Sequence, residues 1–202
     1  MKAPTRRTLA KQQTRAKVLA AARRLFSEEG YEGATIRDIA AAAGMSTGAV
    51  FANFADKSDL FREIMVADMA ALAEAMAEAG ARGANVEDAI LGMFTAGYGF
   101  YQTRLPLARA AFSVGWSPQE GPVLRGAPPV QVLLDLIIDQ LTAGAARGEL
   151  APDPDLALRA QMLFDIYLSN YPQAIFQAWT VEALRARSRD QIRILLAGVR
   201  KA

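Results

Sequence analysis

Thr47, Gly48, Phe51, Ala52 and Asn53 are the residues whose types and spacing point first to a chemistry. They follow the turn residue Gly44, and at helical spacing they are left facing outward while Val50 and Phe54 share the opposite face. A hydroxyl, an amide, a ring and positions without bulk suit a surface that recognises rather than one that breaks bonds. The 202-residue chain has no cysteine and no histidine. That removes disulfides, thiolates, Ser–His and Cys–His nucleophiles, histidine general bases and histidine-held metals together. No catalytic residue, metal ligand or cofactor is therefore assigned. An enzyme on an all-α bundle, which would use Glu-x-x-His clusters, is set aside.

The elements that must position this face can be read residue by residue. Thr35 is a natural N-cap, with Asp38 at the third helical position as in a capping box. Ile36, Ile39 and Ala40 lie on one face of the helix that follows, and Ala40 is small where two helices must cross closely. Gly44 can take the left-handed conformation that ends a helix. Ser46 or Thr47 can cap the next helix, whose Val50 and Phe54 pack back onto Ile39 and Ala43. Residues 35–54 thus read as a helix-turn-helix, a unit that places its second helix in the DNA major groove. A plain helical hairpin with a glycine turn accounts less well for a small residue, a turn glycine and a buried valine in that order.

Charge agrees with an anionic partner. Residues 1–59 hold ten Lys or Arg against six acids, a balance of +4, while the remainder holds thirteen against fifteen, or −2. Eight cations precede the first acid, Glu28. A basic arm leading into a helix-turn-helix suits phosphate binding; a solvated tail is the alternative for Lys2 to Arg7. No apolar run approaches the ~18 residues of a membrane span, and the N-terminus lacks an apolar signal core. A cytoplasmic protein is the expectation.

The rest reads as helical throughout, cut by Gly and Pro, for about nine helices in an all-α chain. Helix one is expected over 14–29, with Val18, Ala22, Leu25 and Phe26 as its stripe, ended by Gly30 to Gly33. Asp56 caps a helix running to about Glu78, and Gly80 to Gly83 marks a domain boundary. Further helices are expected from Asn85 to Arg104, Leu107 to Trp116, Pro129 to Arg147 and Asp153 to Trp179, the last kinked at Pro172, then from Val181 to Arg200. Ser117 to Pro129 is a loop.

From about Thr14 to Phe61 the chain resembles TetR-family transcriptional regulators. The resemblance rests on Ala21-Ala22, Leu25-Phe26, Gly30-Tyr31, Thr35, Asp38-Ile39-Ala40, Ala43-Gly44-Met45-Ser46, Gly48, Phe54, Lys57 and Leu60. It implies a three-helix DNA-binding domain with its basic arm over 1–56, a connecting helix over 57–79 and a ligand-binding and dimerisation domain over 80–202. It implies that Thr35 contacts phosphate, that Ser46, Thr47 and Gly48 open the recognition helix, that Asn53 faces DNA and that Lys57 binds phosphate. Phe51 stands where the family usually has Tyr, whose hydroxyl can bond a phosphate. With Ala49 and Ala52 nearby, Arg37 and Thr47 are the best candidates for reading bases, and Asn53, able to pair bidentately with adenine, is third. The family dimerises through its last two helices, where Ile192, Leu195, Leu196 and Val199 form a stripe; intramolecular core is the alternative role.

The resemblance also implies a small-molecule site in the C-terminal domain. Candidate lining residues are Phe94, Tyr98, Tyr101, Phe112, Trp116, Gln131, Phe164, Tyr167 and Asn170. Gly92, Gly97 and Gly99 on one helix suggest close packing or room for a ligand, since each costs ~1 kcal/mol against alanine. The expectation is a homodimeric repressor released from a near-palindromic operator by a small apolar or aromatic molecule, with no membrane partner. The alternative is a DNA-binding regulator or architectural protein without a small-molecule ligand.

Overall fold

A computed structural model describes residues 6–102, 104–115, 128–151 and 155–197. The chain divides into two compact units, each with its own core.

The first unit comprises the described residues of Met1–Ala67 and Leu105–Ser117. It contains α1 (Arg6–Gly33), α2 (Ile36–Ala42), α3 (Thr47–Phe51), the first part of α4 (Lys57–Gly80) and α6 (Leu105–Gly115). Helix α1 begins eight residues before the expected start. The apolar stripe begins only at Val18, but residues 6–13 contain no Gly or Pro to stop the helix from extending outward on propensity. The expected break at Gly30 is present, with φ 78° and ψ 171° interrupting the helical backbone. Val18, Ala22, Leu25 and Phe26 are buried as one stripe, and α6 packs along α1. Phe26 meets Phe61 edge-on at 5.5 Å, and Tyr31 meets Phe61 at 4.9 Å.

The second unit comprises the described residues of Asp68–Arg104 and Pro118–Ala202. It holds the rest of α4, α5 (Val86–Gln102), α7 (Pro128–Ala146), α8 (Leu156–Ser169), α9 (Tyr171–Gln177) and α10 (Val181–Ala197). Helix α5 packs on α10 and α7, and α8 packs on α7 and α10. Asn85 caps α5 by accepting from Asp88 N at 2.9 Å. Glu149, beyond the end of α7, also accepts from Val86 N at 2.6 Å. The Arg147 guanidinium hydrogen-bonded to Glu149 holds its carboxyl below the usual range.

The helix expected to continue to Trp179 with a kink is instead two. Helix α8 ends at Ser169, Asn170 sits between, and Pro172 lies in the first turn of α9. Proline lacks the N–H that a continuing helix needs but fits a first turn well. Asp153-Pro154 and the Ser117 to Pro129 loop fall largely outside the described residues, as do Trp116 and Val199.

Candidate nucleic-acid interface

The helix-turn-helix is built by paired caps. Thr35 accepts from Asp38 N at 3.2 Å, and its hydroxyl donates to the Asp38 carboxylate. Gly44 has φ 69°. Its N–H donates to Ala41 O, while Met45 N donates to Ala40 O, the paired bonds of a Schellman stop. Of the two candidate caps for α3, the structure uses Ser46, which accepts from Ala49 N at 3.2 Å. Asp56 caps α4, its Oδ1 accepting from Asp59 N at 2.7 Å, while Asp59 Oδ2 reaches back one residue past the cap to accept from Ala55 N at 3.1 Å.

These caps aim α3. Val50 and Phe54 are buried with Ile39 and Ala40. Thr47, Gly48, Phe51 and Ala52 are exposed, as is Arg37 on α2. Phe51 leaves 54% of its surface in solvent, an unusual placement for a ring within a folded unit.

Asn53 departs from its expected role as a base reader. It is half-buried, its Nδ2 donates to Ala49 O at 2.9 Å, and its Oδ1 is buried without a hydrogen-bond partner among the described residues. Both ends of the amide that would pair with adenine are turned into the unit. Lys57 Nζ donates to Tyr31 O at 2.9 Å and sits 4.3 Å over the Tyr31 ring. An ammonium has three donors, so this contact leaves capacity for an anion.

One positioning residue was missed in the sequence. Arg15 on α1 donates through Nη1 to Asn53 O and through Nη2 to Glu63 Oε1 at 2.7 Å, with its guanidinium 4.3 Å from the Phe54 ring centroid. It ties α1 to the turn after α3 and to α4. The only sequence signal was its place among the basic residues, where it read as a general phosphate contact.

In the second unit, Phe94, Tyr98, Tyr101, Phe164, Tyr167 and Asn170 come together, joined by Tyr171. Asn170 Nδ2 donates to Tyr98 Oη and Ser188 Oγ, each at 3.2 Å, and to Gln191 Oε1 at 2.9 Å. Tyr171 Oη donates to Gly97 O at 3.3 Å, and the hydroxyls of Tyr167 and Tyr171 share a hydrogen bond. Asn170 Oδ1 is buried without a hydrogen-bond partner among the described residues. Ser188 and Gln191 were not foreseen, because a serine and a glutamine on a charged helix carry no pattern. Gln131 lies apart, exposed and bonded to Asp135. Phe112 belongs to the first unit. Of the expected dimer stripe, Ile192 and Leu196 are fully buried within the single chain and Leu195 is half-buried. Exposed apolar side chains stand elsewhere, at Leu158 and Met162 on α8 and Ile194 on α10.

Burial pushes the phenols of Tyr98, Tyr167 and Tyr171 above their ordinary value, the last two strongly. A raised folded value means that the unfolded chain loses these protons first. Their contribution to stability is thus complete below the unfolded value of about 10 and is lost above it. In an alkaline titration, the phenolate absorbance of these three is expected to appear only together with loss of helicity. Reversible ionisation of all five tyrosines near the ordinary value in a still-helical protein would contradict this packing.

Residues 18–64 match the family profile described as bacterial regulatory proteins, tetR family. The HTH-type transcriptional repressor Rv1474c of Mycobacterium tuberculosis is 32% identical over 159 residues, covering 67% of this chain and 83% of that protein. The HTH-type transcriptional repressor AcnR of Corynebacterium glutamicum is 46% identical over 67 residues, 33% of this chain and 36% of the relative. The chain thus spans about a third of the length of the first curated relatives it matches. In fold, it is similar to a tetR-family regulator from Mesorhizobium loti, with TM-score 0.74 and 20% identity over 98% of this chain and all of that one. It is likewise similar to FadR from Bacillus subtilis, solved with stearoyl-CoA, with TM-score 0.75 and 20% identity over 91% of this chain and 98% of that one. No helix among the described residues is long and apolar enough to cross a membrane. The capped helix-turn-helix, the match over it and the longer likeness to Rv1474c lead to one statement: the chain belongs to the tetR family of bacterial regulatory proteins.

Proposed function

We propose that the protein is a homodimeric, DNA-binding transcriptional repressor whose two recognition helices take the two halves of a near-palindromic operator. The exposed face of Thr47, Gly48, Phe51 and Ala52, held outward by the burial of Val50 and Phe54, is the observation that carries this reading. One such helix covers few base pairs, so specificity requires two copies spaced by the DNA repeat. Leu158, Met162 and Ile194, on two helices that pack together, supply apolar surface for a second copy to cover.

A small, largely apolar or aromatic molecule relieves repression in this reading. Its site in this reading is the cluster of Phe94, Tyr98, Tyr101, Phe164, Tyr167 and Asn170, whose packed rings must part to admit it, and where Asn170 Oδ1, without a partner among the described residues, can accept from a donor on the ligand. The ligand releases DNA only if it prefers the form that does not bind the operator.

Lys57→Ala tests the DNA-binding reading. Affinity is expected to fall about equally for all operator variants, and the salt slope to drop by roughly one counterion. A loss confined to one operator variant would contradict a phosphate role.

A further inference from the structure

The groups that usually read bases by hydrogen bonding are scarce on the exposed face of α3. Thr47 brings a hydroxyl and a methyl, Gly48 nothing, Phe51 a ring and Ala52 a methyl, all exposed. They occupy i, i+1, i+4 and i+5, a single stripe. The neighbouring polar side chains already hold hydrogen bonds to the unit itself. Asn53 donates to Ala49 O, and its carbonyl oxygen is buried. Ser46 Oγ is occupied in capping Ala49 N, and the Thr35 hydroxyl is bonded to Asp38. Arg37, on α2, is the one exposed cation from that helix.

In the major groove, each base pair shows a set of donors and acceptors, and only thymine adds an apolar group, its C5-methyl. The ring and methyl carbons of the stripe match that feature, with the Thr47 hydroxyl as its one polar group. Resting on the DNA-binding reading above, we propose that Phe51, with Thr47 and Ala52 beside it, reads thymine methyl groups. The partner is then a half-site with thymine at fixed positions, recognised by apolar contact.

Uracil differs from thymine only by that methyl, which makes a test at the level of one group. The tightest-bound duplex is first selected from a randomised pool with the full-length protein. Each half-site thymine is then replaced singly by deoxyuridine, and each purine by its 7-deaza analogue. Removing a methyl contacted by Phe51 is expected to weaken binding about three- to fivefold, the worth of one buried methylene-sized group. At that position Phe51→Ala is expected to abolish the difference between thymine and uracil. Phe51 is exposed, so this variant leaves the core of the unit intact.

Specific binding with no uracil effect, or losses confined to 7-deazapurines, would overturn the inference while leaving the regulator reading in place. A uracil effect unchanged in Phe51→Ala would overturn the assignment to Phe51. Failure to recover any specific duplex would instead overturn the DNA-binding reading, and the inference with it.

Discussion

Replacing Gly97 by alanine is expected to destabilise the second unit by about 2–4 kcal/mol, although alanine is the better helix former. A Cβ at this position would lie 2.2 Å from Tyr167 Oη and 2.8 Å from its Cζ, far inside contact distance. Tyr167 has neighbours on every side that a swing would displace. It is 1% exposed and packed by Phe94, Tyr98, Phe164 and Tyr171. Moving it would also break the hydroxyl pair with Tyr171 and strip the buried Tyr167 hydroxyl of that partner, at about 1–3 kcal/mol. Gly99, two residues on, is the control. Among the described residues, nothing beyond its own helix backbone and chain neighbours lies within 4 Å of an added Cβ there, so Gly99→Ala is expected to be neutral or stabilising by up to ~1 kcal/mol. Urea denaturation midpoints of the two variants check this, and equal effects would contradict the packing at Gly97.

The double variant Met162→Glu, Ile194→Glu is expected to yield folded monomers. Met162 is 47% and Ile194 74% exposed in the single chain, so neither change digs into its core. Two carboxylates placed in an interface would be desolvated without partners. Once monomeric, the protein loses the second, effectively intramolecular half-site contact, and operator affinity is expected to fall by about 10²–10⁴-fold. Sedimentation gives the mass and anisotropy the affinity. An unchanged mass would remove the outer faces of α8 and α10 from the dimer interface.

The first unit was legible because its determinants are local. Thr35 with Asp38, Gly44 after Ala43, and Asp56 with Asp59 each declare a cap within three or four residues, and each is found in the structure. What escaped depends on partners distant in sequence. Arg15 reaches Asn53 and Glu63, 38 and 48 residues away. Asn53 turned inward because Ala49 O and the interior of the unit claim its amide, which helical phase alone does not show. In the second unit, Ile192 and Leu196 form the kind of stripe that an intramolecular core and a dimer seam share, and the single chain buries both. The glycines of α5 looked alike in sequence. Gly97 faces a tyrosine, Gly92 would place a Cβ 3.0 Å from Ala79 O, and Gly99 faces open space.

The most direct test of the central claim is footprinting of the purified protein on genomic DNA of its source at moderate salt. The account predicts a few protected near-palindromes, each with two half-sites about one helical turn apart and protection that weakens as salt rises. Scattered protection with no shared motif, or none at any salt, would contradict a dimeric operator-binding repressor.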